Sequence, residues 1–239
     1  MFCEPSYLPG SQTVLQAGTI MFGSVLSALS VGFLKTLEIF GLTLVGAIPL
    51  GLLICLGSMS RLQPLKYVIR CIVWVIRGTP LMLQLLVIYY GPGLILGDNW
   101  WGSGEHGRFV ATIAAFIINY ACYFSEIFRG GIQSIPVGQN EAGYVLGLTK
   151  AQIFFRITLL QVIKRIVPPM SNEIITLVKD TSLSRIIALQ ELIWAGQSFM
   201  KSAGIIWPLF FTGIYYLAFS GLLTILFNRI EKKLEFFRV

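Results

Sequence analysis

Long uncharged apolar runs, separated by short charged connections, set the rhythm of this chain. Positions 39–60, 78–97 and 202–228 contain no Asp, Glu, Lys or Arg. Each reaches the ~20 residues that an α-helix needs to cross the hydrocarbon core of a bilayer. A run at 109–125 is shorter but extends past Glu126 to Phe128. A fifth, at 168–192, is interrupted by Glu173, Lys179, Asp180 and Arg185. Positions 5–34 are also uncharged, but Ser, Gly and Gln break up their apolar character. Residues 1–34 therefore read as an external amphipathic lead-in, 35–228 as a single transmembrane domain, and 229–239 as a basic tail. No basic region precedes the lead-in, so it is not a secretory signal. The pattern predicts an all-α integral membrane protein with about five transmembrane helices.

Composition agrees. Of 239 residues, 55% are hydrophobic and only 12% charged, about half the charge that covers an ordinary soluble domain. The 24 glycines and 10 prolines lie among aliphatic runs rather than polar tracts, which excludes disorder. The net charge of +7 comes from small groups of bases between apolar runs, not from a basic stripe with interleaved aromatics, so nucleic acid is not a partner. Cys55, Cys71 and Cys122 lie in or beside apolar segments and Cys3 stands alone. With no CxxC pair or Cys/His cluster, they read as buried thiols rather than a disulfide framework or metal site.

The bases also give an orientation. Arg61, Lys66 and Arg70 occupy 61–70 with no acid, and 129–165 holds Arg129, Lys150, Arg156, Lys164 and Arg165 against Glu141. The tail holds Arg229, Lys232, Lys233 and Arg238 against Glu231 and Glu235. The alternating connections at 98–108 and 191–201 are base-poor. Five crossings fit that alternation, with the amino terminus outside and the carboxyl terminus in the cytoplasm.

The cytoplasmic connection 129–165 is patterned rather than a plain linker. Val145, Leu146, Leu148, Ile153, Phe154, Ile157 and Leu160 supply apolar positions, and Gly147 followed by Thr149 suits one short helix stopping and another starting. Two short helices joined by a turn would either rest on lipid or fill a groove on a cytosolic partner.

The stretch EAGYVLGLTKAQIFFRITLLQ at 141–161 resembles the coupling loop of permease subunits in ATP-binding-cassette importers. Glu141, Ala142, Gly147 and Phe154 match its core positions. RGTPLMLQLLVIYYG at 77–91, FSEIFRGGIQSIPVGQNEA at 124–142 and NEIITLVKDTSL at 172–183 are similar to the polar-amino-acid branch of that family. Gly143 stands where the family usually has a second alanine, Leu160 where it has proline, and Arg185 at a position more often apolar. The resemblance implies a type I importer permease fold in the bacterial plasma membrane and a dimer of identical or related permeases. It also implies two cytosolic ATPase subunits and an extracytoplasmic amino-acid-binding protein. No cofactor is expected on this chain, which lacks a GxxxxGK[ST] phosphate loop. ATP and Mg would sit on the ATPase partners, so the chain is not itself an enzyme. Glu141, Ala142, Leu146, Gly147 and Phe154 become the candidate coupling residues.

Charges inside spans need a reason, because each costs several kcal/mol unless paired or hydrated. Glu173 and Asp180 are seven residues apart and share a helical face with Thr176 and Leu177. Arg77 and Glu126 come from other spans, and Pro80 after Gly78 and Thr79 predicts a locally broken helix. Internal ion pairing would account for any one of these charges. The resemblance implies instead that the segments around them line a translocation path. Arg77, Glu126, Asn172, Glu173, Lys179, Asp180, Thr181 and Ser182 are then the candidate substrate-binding residues. Glu126, Glu173 and Asp180 would attract a substrate amino group or cationic side chain and Arg77 its carboxylate, while Lys179 and Arg185 balance the acids.

Two other classes fit less well. A secondary transporter or channel is disfavoured because the halves do not repeat: 129–165 has no counterpart. A membrane enzyme has only His106 to offer, in an expected external loop with no nucleophile or metal-ligand spacing around it. Nearby Trp100 and Trp101 suit an interfacial belt or a contact with the binding protein.

Overall fold

The computed structural model describes residues 11–102 and 104–234, with side chains from Phe22 onward. Cys3, Glu4, the first residues of the expected lead-in and the end of the basic tail lie outside the described residues. Nine α-helices are described: α1 (Ser11–Ser58), α2 (Gln63–Gly78), α3 (Leu81–Leu96), α4 (Glu105–Gln133), α5 (Val137–Val145), α6 (Lys150–Ile153), α7 (Leu159–Asp180), α8 (Leu192–Ala203) and α9 (Trp207–Leu234). A π-helical turn at Phe154–Thr158 joins α6 to α7, and a 3-10 turn at Thr181–Ile187 follows α7.

Three described helices are long and apolar enough to cross a membrane: Phe22–Ser58, Glu105–Gln133 and Trp207–Leu234. Helices α2 and α3 together make a fourth, bent by 106° at the break between them. Helix α7, the remaining expected crossing, has 22 residues, about 33 Å at 1.5 Å per residue. Its charges set it apart from the apolar spans. No break marks residue 34, because lead-in and first span form one helix of 48 residues.

Helix α4 is the axis of the fold. Over half of its apolar window is inside the protein, against 6% for α9. The reason is composition: Ala111, Ala115 and Ala121 of α4 and Ala47 of α1 are completely buried, and small side chains let backbones approach. Close packing holds helices together where lipid tails are as apolar as the core. The α1–α4 contact is accordingly the most extensive in the structure. Phe116, Tyr120 and Phe124 of α4 join Leu85 of α3 and Leu177 and Val178 of α7 in the main core. A smaller cluster seats Val25 and Leu29 of α1 against Leu192 and Ala195 of α8.

Several local expectations are revised. The two short helices of 129–165 are α5 and α6, but α6 is only the first turn of a helix that runs on through the π turn into α7. Leu177 does not share the half-buried setting of Glu173; it is wholly buried in the core. His106 lies in the first turn of α4, not in a loop. Cys71 is exposed on α2, unlike the buried Cys55 and Cys122. Trp101 is tied down, its indole N–H donating to the Ile88 carbonyl at 2.7 Å, whereas Trp100 is exposed.

Candidate functional site: a polar cavity and an apolar elbow

The cavity begins with a backbone problem. Pro80 has no N–H, and Thr79 and Pro80 are both extended (φ −115°, ψ 146° and φ −63°, ψ 136°). The last carbonyls of α2 therefore lose their helical partners inside a span, where no water replaces them. Gln84 of α3 supplies the missing donors. Its amide N–H groups reach the carbonyls of Ile76 (2.7 Å) and Thr79 (3.1 Å), and the Thr79 hydroxyl (2.9 Å). Its carbonyl accepts from Asn119 of α4 at 3.0 Å. The break is thus fastened to the central helix.

Against this break lies a cavity of about 430 Å³, bounded by Thr79, Pro80 and Met82, by Asn119, Tyr120 and Tyr123 of α4, and by Glu173, Thr176 and Asp180 of α7. Its size falls within the ~300–1,000 Å³ usual for small-molecule sites. The Tyr120 hydroxyl, almost wholly buried, donates to Asp180 Oδ2 at 2.7 Å, which fixes that carboxylate's orientation. The lining contains two acids and no base, so it favours a positively charged group.

Arg77 and Glu126 sit in a separate cavity of about 230 Å³ with Arg70, Trp74 and Arg129. Glu126 accepts from Arg129 Nε at 3.0 Å and from a second, closer guanidinium nitrogen, and Arg77 approaches it at 3.8 Å. The Arg77 guanidinium also lies 5.0 Å from the Tyr123 ring. Tyr123 therefore stands between the two chambers, one acidic and the other lined by three arginines around one glutamate.

The remaining candidates line neither chamber. Asn172 and Lys179 are exposed. Thr181 and Ser182 donate their hydroxyls to the carbonyls of Val178 and Lys179, both at 2.7 Å, closing the end of α7. Arg185 is exposed in the following turn. Sequence reasoning missed Gln84, Asn119, Tyr120 and Tyr123. The available signal was a run of polar and aromatic residues, Asn119, Tyr120, Tyr123, Ser125 and Glu126, in an otherwise apolar span.

The second region is the elbow between α5 and α6. Gly147 has φ +71°, a left-handed conformation that a Cβ disfavours. Around it the Gly147 N–H donates to the Tyr144 carbonyl (2.9 Å) and the Leu148 N–H to Gly143 (3.0 Å). Thr149 then starts α6 with a reciprocal cap: its hydroxyl accepts from the Gln152 N–H at 3.3 Å and its own N–H donates to Gln152 Oε1 at 2.9 Å, an arrangement worth about 1 kcal/mol. At Gly143 a Cβ would lie 2.7 Å from Ile153 Cγ1. Here Ile153 occupies the space an alanine methyl would need. Leu160 lies in the first turn of α7 and is exposed.

The outer side of the elbow is apolar. Tyr144, Val145, Leu146, Phe154 and Phe155 are all exposed, Val145 at 87% and Leu146 at 77%, beside exposed Glu141 and Ala142. Contiguous exposed apolar residues of this kind mark an interaction surface.

The family described as "Binding-protein-dependent transport system inner membrane component" matches residues 47–236. The L-cystine transport system permease protein TcyB of Bacillus subtilis (strain 168) is 38% identical over 169 residues, 71% of this chain and 69% of that relative. The arginine transport system permease protein ArtQ of the same organism is 32% identical over 208 residues, 85% of this chain and 91% of its own length. Among solved structures, a crystal structure of an amino acid ABC transporter with histidines superposes with a TM-score of 0.80 at 30% identity, covering 90% of this chain and 97% of that one. The helical architecture is that of a type I importer permease.

Proposed function

The chain belongs to the family of binding-protein-dependent transport system inner membrane components, and on that premise we propose that it is the permease subunit of an ATP-driven amino-acid importer in a bacterial plasma membrane. Relatives named for arginine and cystine transport support an amino-acid substrate. The observation that carries the reading is the cavity at the α2–α3 break, where Glu173 and Asp180 face a space of small-molecule size. Its two carboxylates would hold a substrate ammonium, with Tyr120 keeping Asp180 in position. A substrate carboxylate would point toward Tyr123 and the arginine-lined chamber beyond it.

The motor would be separate. A second permease chain, two ATPase subunits at the elbows and an extracytoplasmic binding protein complete the assembly. The elbow offers the ATPase an apolar face, with Glu141 positioned to add a charge-assisted contact. From Lys150 to Asp180 the chain is helical, with Pro168 and Pro169 inside α7, a lever about 45 Å long at the α-helical rise. Closure of two ATPases on bound ATP would move the elbows together, and this lever would carry the movement to Glu173 and Asp180. The π turn at its base provides a compliant point, as such turns commonly do at functional sites. Only groups whose contacts differ between inward- and outward-facing states can transmit the preference. The two acids at the far end of the lever would be such groups.

The test is uptake of labelled amino acids by the reconstituted complex with its ATPase and binding protein. ATP-dependent accumulation, lost with Glu173→Gln plus Asp180→Asn while the complex still assembles, is the expected result. Undiminished flux down an ion gradient after removal of the ATPase subunits overturns the proposal.

A further inference from the structure

At the membrane edge where α4 and α9 end and α7 begins lies another cavity of about 430 Å³, which the transport reading does not use. Four of its lining residues are bases from three elements: Arg156 of the π turn, Lys164 and Arg165 of α7, and Lys233 of α9. No acid lines it among the described residues. Ile157, Leu160 and Leu234 supply an apolar wall on the side where the spans enter lipid. Arg165 is braced by donating to the Ser134 carbonyl at the end of α4, so the site is tied to the ends of the spans rather than borne on a free loop.

Gln161 adds a second, independent observation. Its amide N–H groups donate to Gln139 Oε1 at 2.6 Å and the Ile157 carbonyl at 3.0 Å. Its own Oε1 is buried without a hydrogen-bond partner. A buried acceptor left unsatisfied is costly and points to a missing donor. Cations, an apolar wall and an unused acceptor together match a ligand with a phosphate diester, acyl chains and a hydroxyl.

We propose that this cavity binds the headgroup of an anionic phospholipid of the phosphatidylglycerol type, its phosphate among Arg156, Arg165 and Lys233 and a headgroup hydroxyl donating to Gln161. Basic pockets between spans at the base-rich membrane face hold anionic headgroups by this balance of charge and apolar contact. The exposed apolar residues of the elbow, Tyr144 to Leu146, do not line the cavity, which separates it from the proposed ATPase contact. The inference requires only that the chain sits in a membrane, so it stands or falls independently of the transported substrate.

The experiment uses the purified full-length chain in a neutral detergent, with lipid binding counted by native mass spectrometry. Phosphatidylglycerol is titrated against phosphatidylcholine with the same acyl chains, in wild type and in the double variant Arg156→Gln, Lys233→Gln. Both residues are exposed, and an unchanged unfolding temperature without added lipid verifies the fold. Saturable binding of phosphatidylglycerol in preference to phosphatidylcholine, weakened roughly thirtyfold in the variant, is expected for the loss of two bases near a headgroup. Phosphatidylmethanol, of equal charge but with no hydroxyl, should bind about fivefold more weakly than phosphatidylglycerol, the worth of one hydrogen bond. Equal binding of the two refutes the role of Gln161. Displacement of the lipid by millimolar inorganic phosphate would make this a site for the free anion, and the lipid proposal would be wrong. It would also be wrong if the variant kept wild-type lipid affinity and instead lost co-purification with the ATPase subunit, which would make the cavity a protein contact.

Discussion

The cavity at the α2–α3 break and the elbow between α5 and α6 invert the usual polarity of a membrane protein in opposite ways. In the cavity, polar groups sit deep in the bundle, and their hydrogen bonds run to one another: Gln84 to Asn119, Tyr120 to Asp180. At the elbow, large apolar side chains stand on the outside with only a backbone turn beneath them. Polar groups inside a span cost free energy unless something uses them, and apolar groups in water cost free energy unless something covers them. One region therefore suits the small polar occupant proposed for it and the other the proposed ATPase contact. The cavity is built from side chains on three helices, whereas the elbow is built from local sequence.

That difference predicts which property each change will alter. The largest effect should come from neutralising both acids: Glu173→Gln with Asp180→Asn removes two desolvated charges that would face the substrate, and uptake should fall by about a hundredfold or more. ATPase subunits should still co-purify with this variant; if uptake is normal, the acids serve packing and the cavity reading fails. Gly147→Val should do the converse. A β-branched residue at φ +71° costs about 1–2 kcal/mol or more, and transport per ATP hydrolysed should drop about tenfold with amino-acid selectivity unchanged. Glu141→Lys should act in the same direction, and normal coupling in both variants would remove the elbow from its role.

Tyr120→Phe tests positioning more finely. It deletes one charge-assisted hydrogen bond but keeps the ring in the core, so the apparent substrate affinity should weaken by roughly tenfold with coupling intact. An unchanged affinity profile across amino acids would separate Asp180 from substrate. The smallest effect on function is expected from Gln84→Leu. It strands the Thr79 carbonyl at the break and takes the shortest donor from that of Ile76, and a loss of about 1–3 kcal/mol should appear as a lower unfolding temperature in detergent before any change in selectivity. A variant as stable as the wild type would show that the break does not need its brace.

The elbow was legible because its determinants are near neighbours. Gly147 and Thr149 specify a stop and a start through backbone conformation and a three-residue capping contact, and both occur where expected. Pro80 marks the break by the same local logic. The cavity was half legible. Glu173 and Asp180 share a helical face by spacing alone, and they do meet in one cavity. Leu177 lies on that same side by spacing, yet it turns into the core, because a helix against two neighbours has no single inward direction. Nor could spacing pair Tyr120 with Asp180, sixty residues away, or bring Arg77 of another helix to Glu126, although the Glu126–Arg129 pair, three residues apart on α4, is a helical neighbour contact.

The amino-acid sequence by itself determined the apolar character, four of the five expected spans, the broken helix, the turn at Gly147 and the family, since each depends on composition or on contacts within one or two helical turns. Only the tertiary structure decided which charges share a chamber, that α6 and α7 join in one helical run, and that four bases from three elements line a single cavity. Those arrangements depend on how helices rotate and approach one another, and small residues such as Ala47, Ala111 and Ala115 set that approach through close packing between distant segments, which one-dimensional periodicity does not encode.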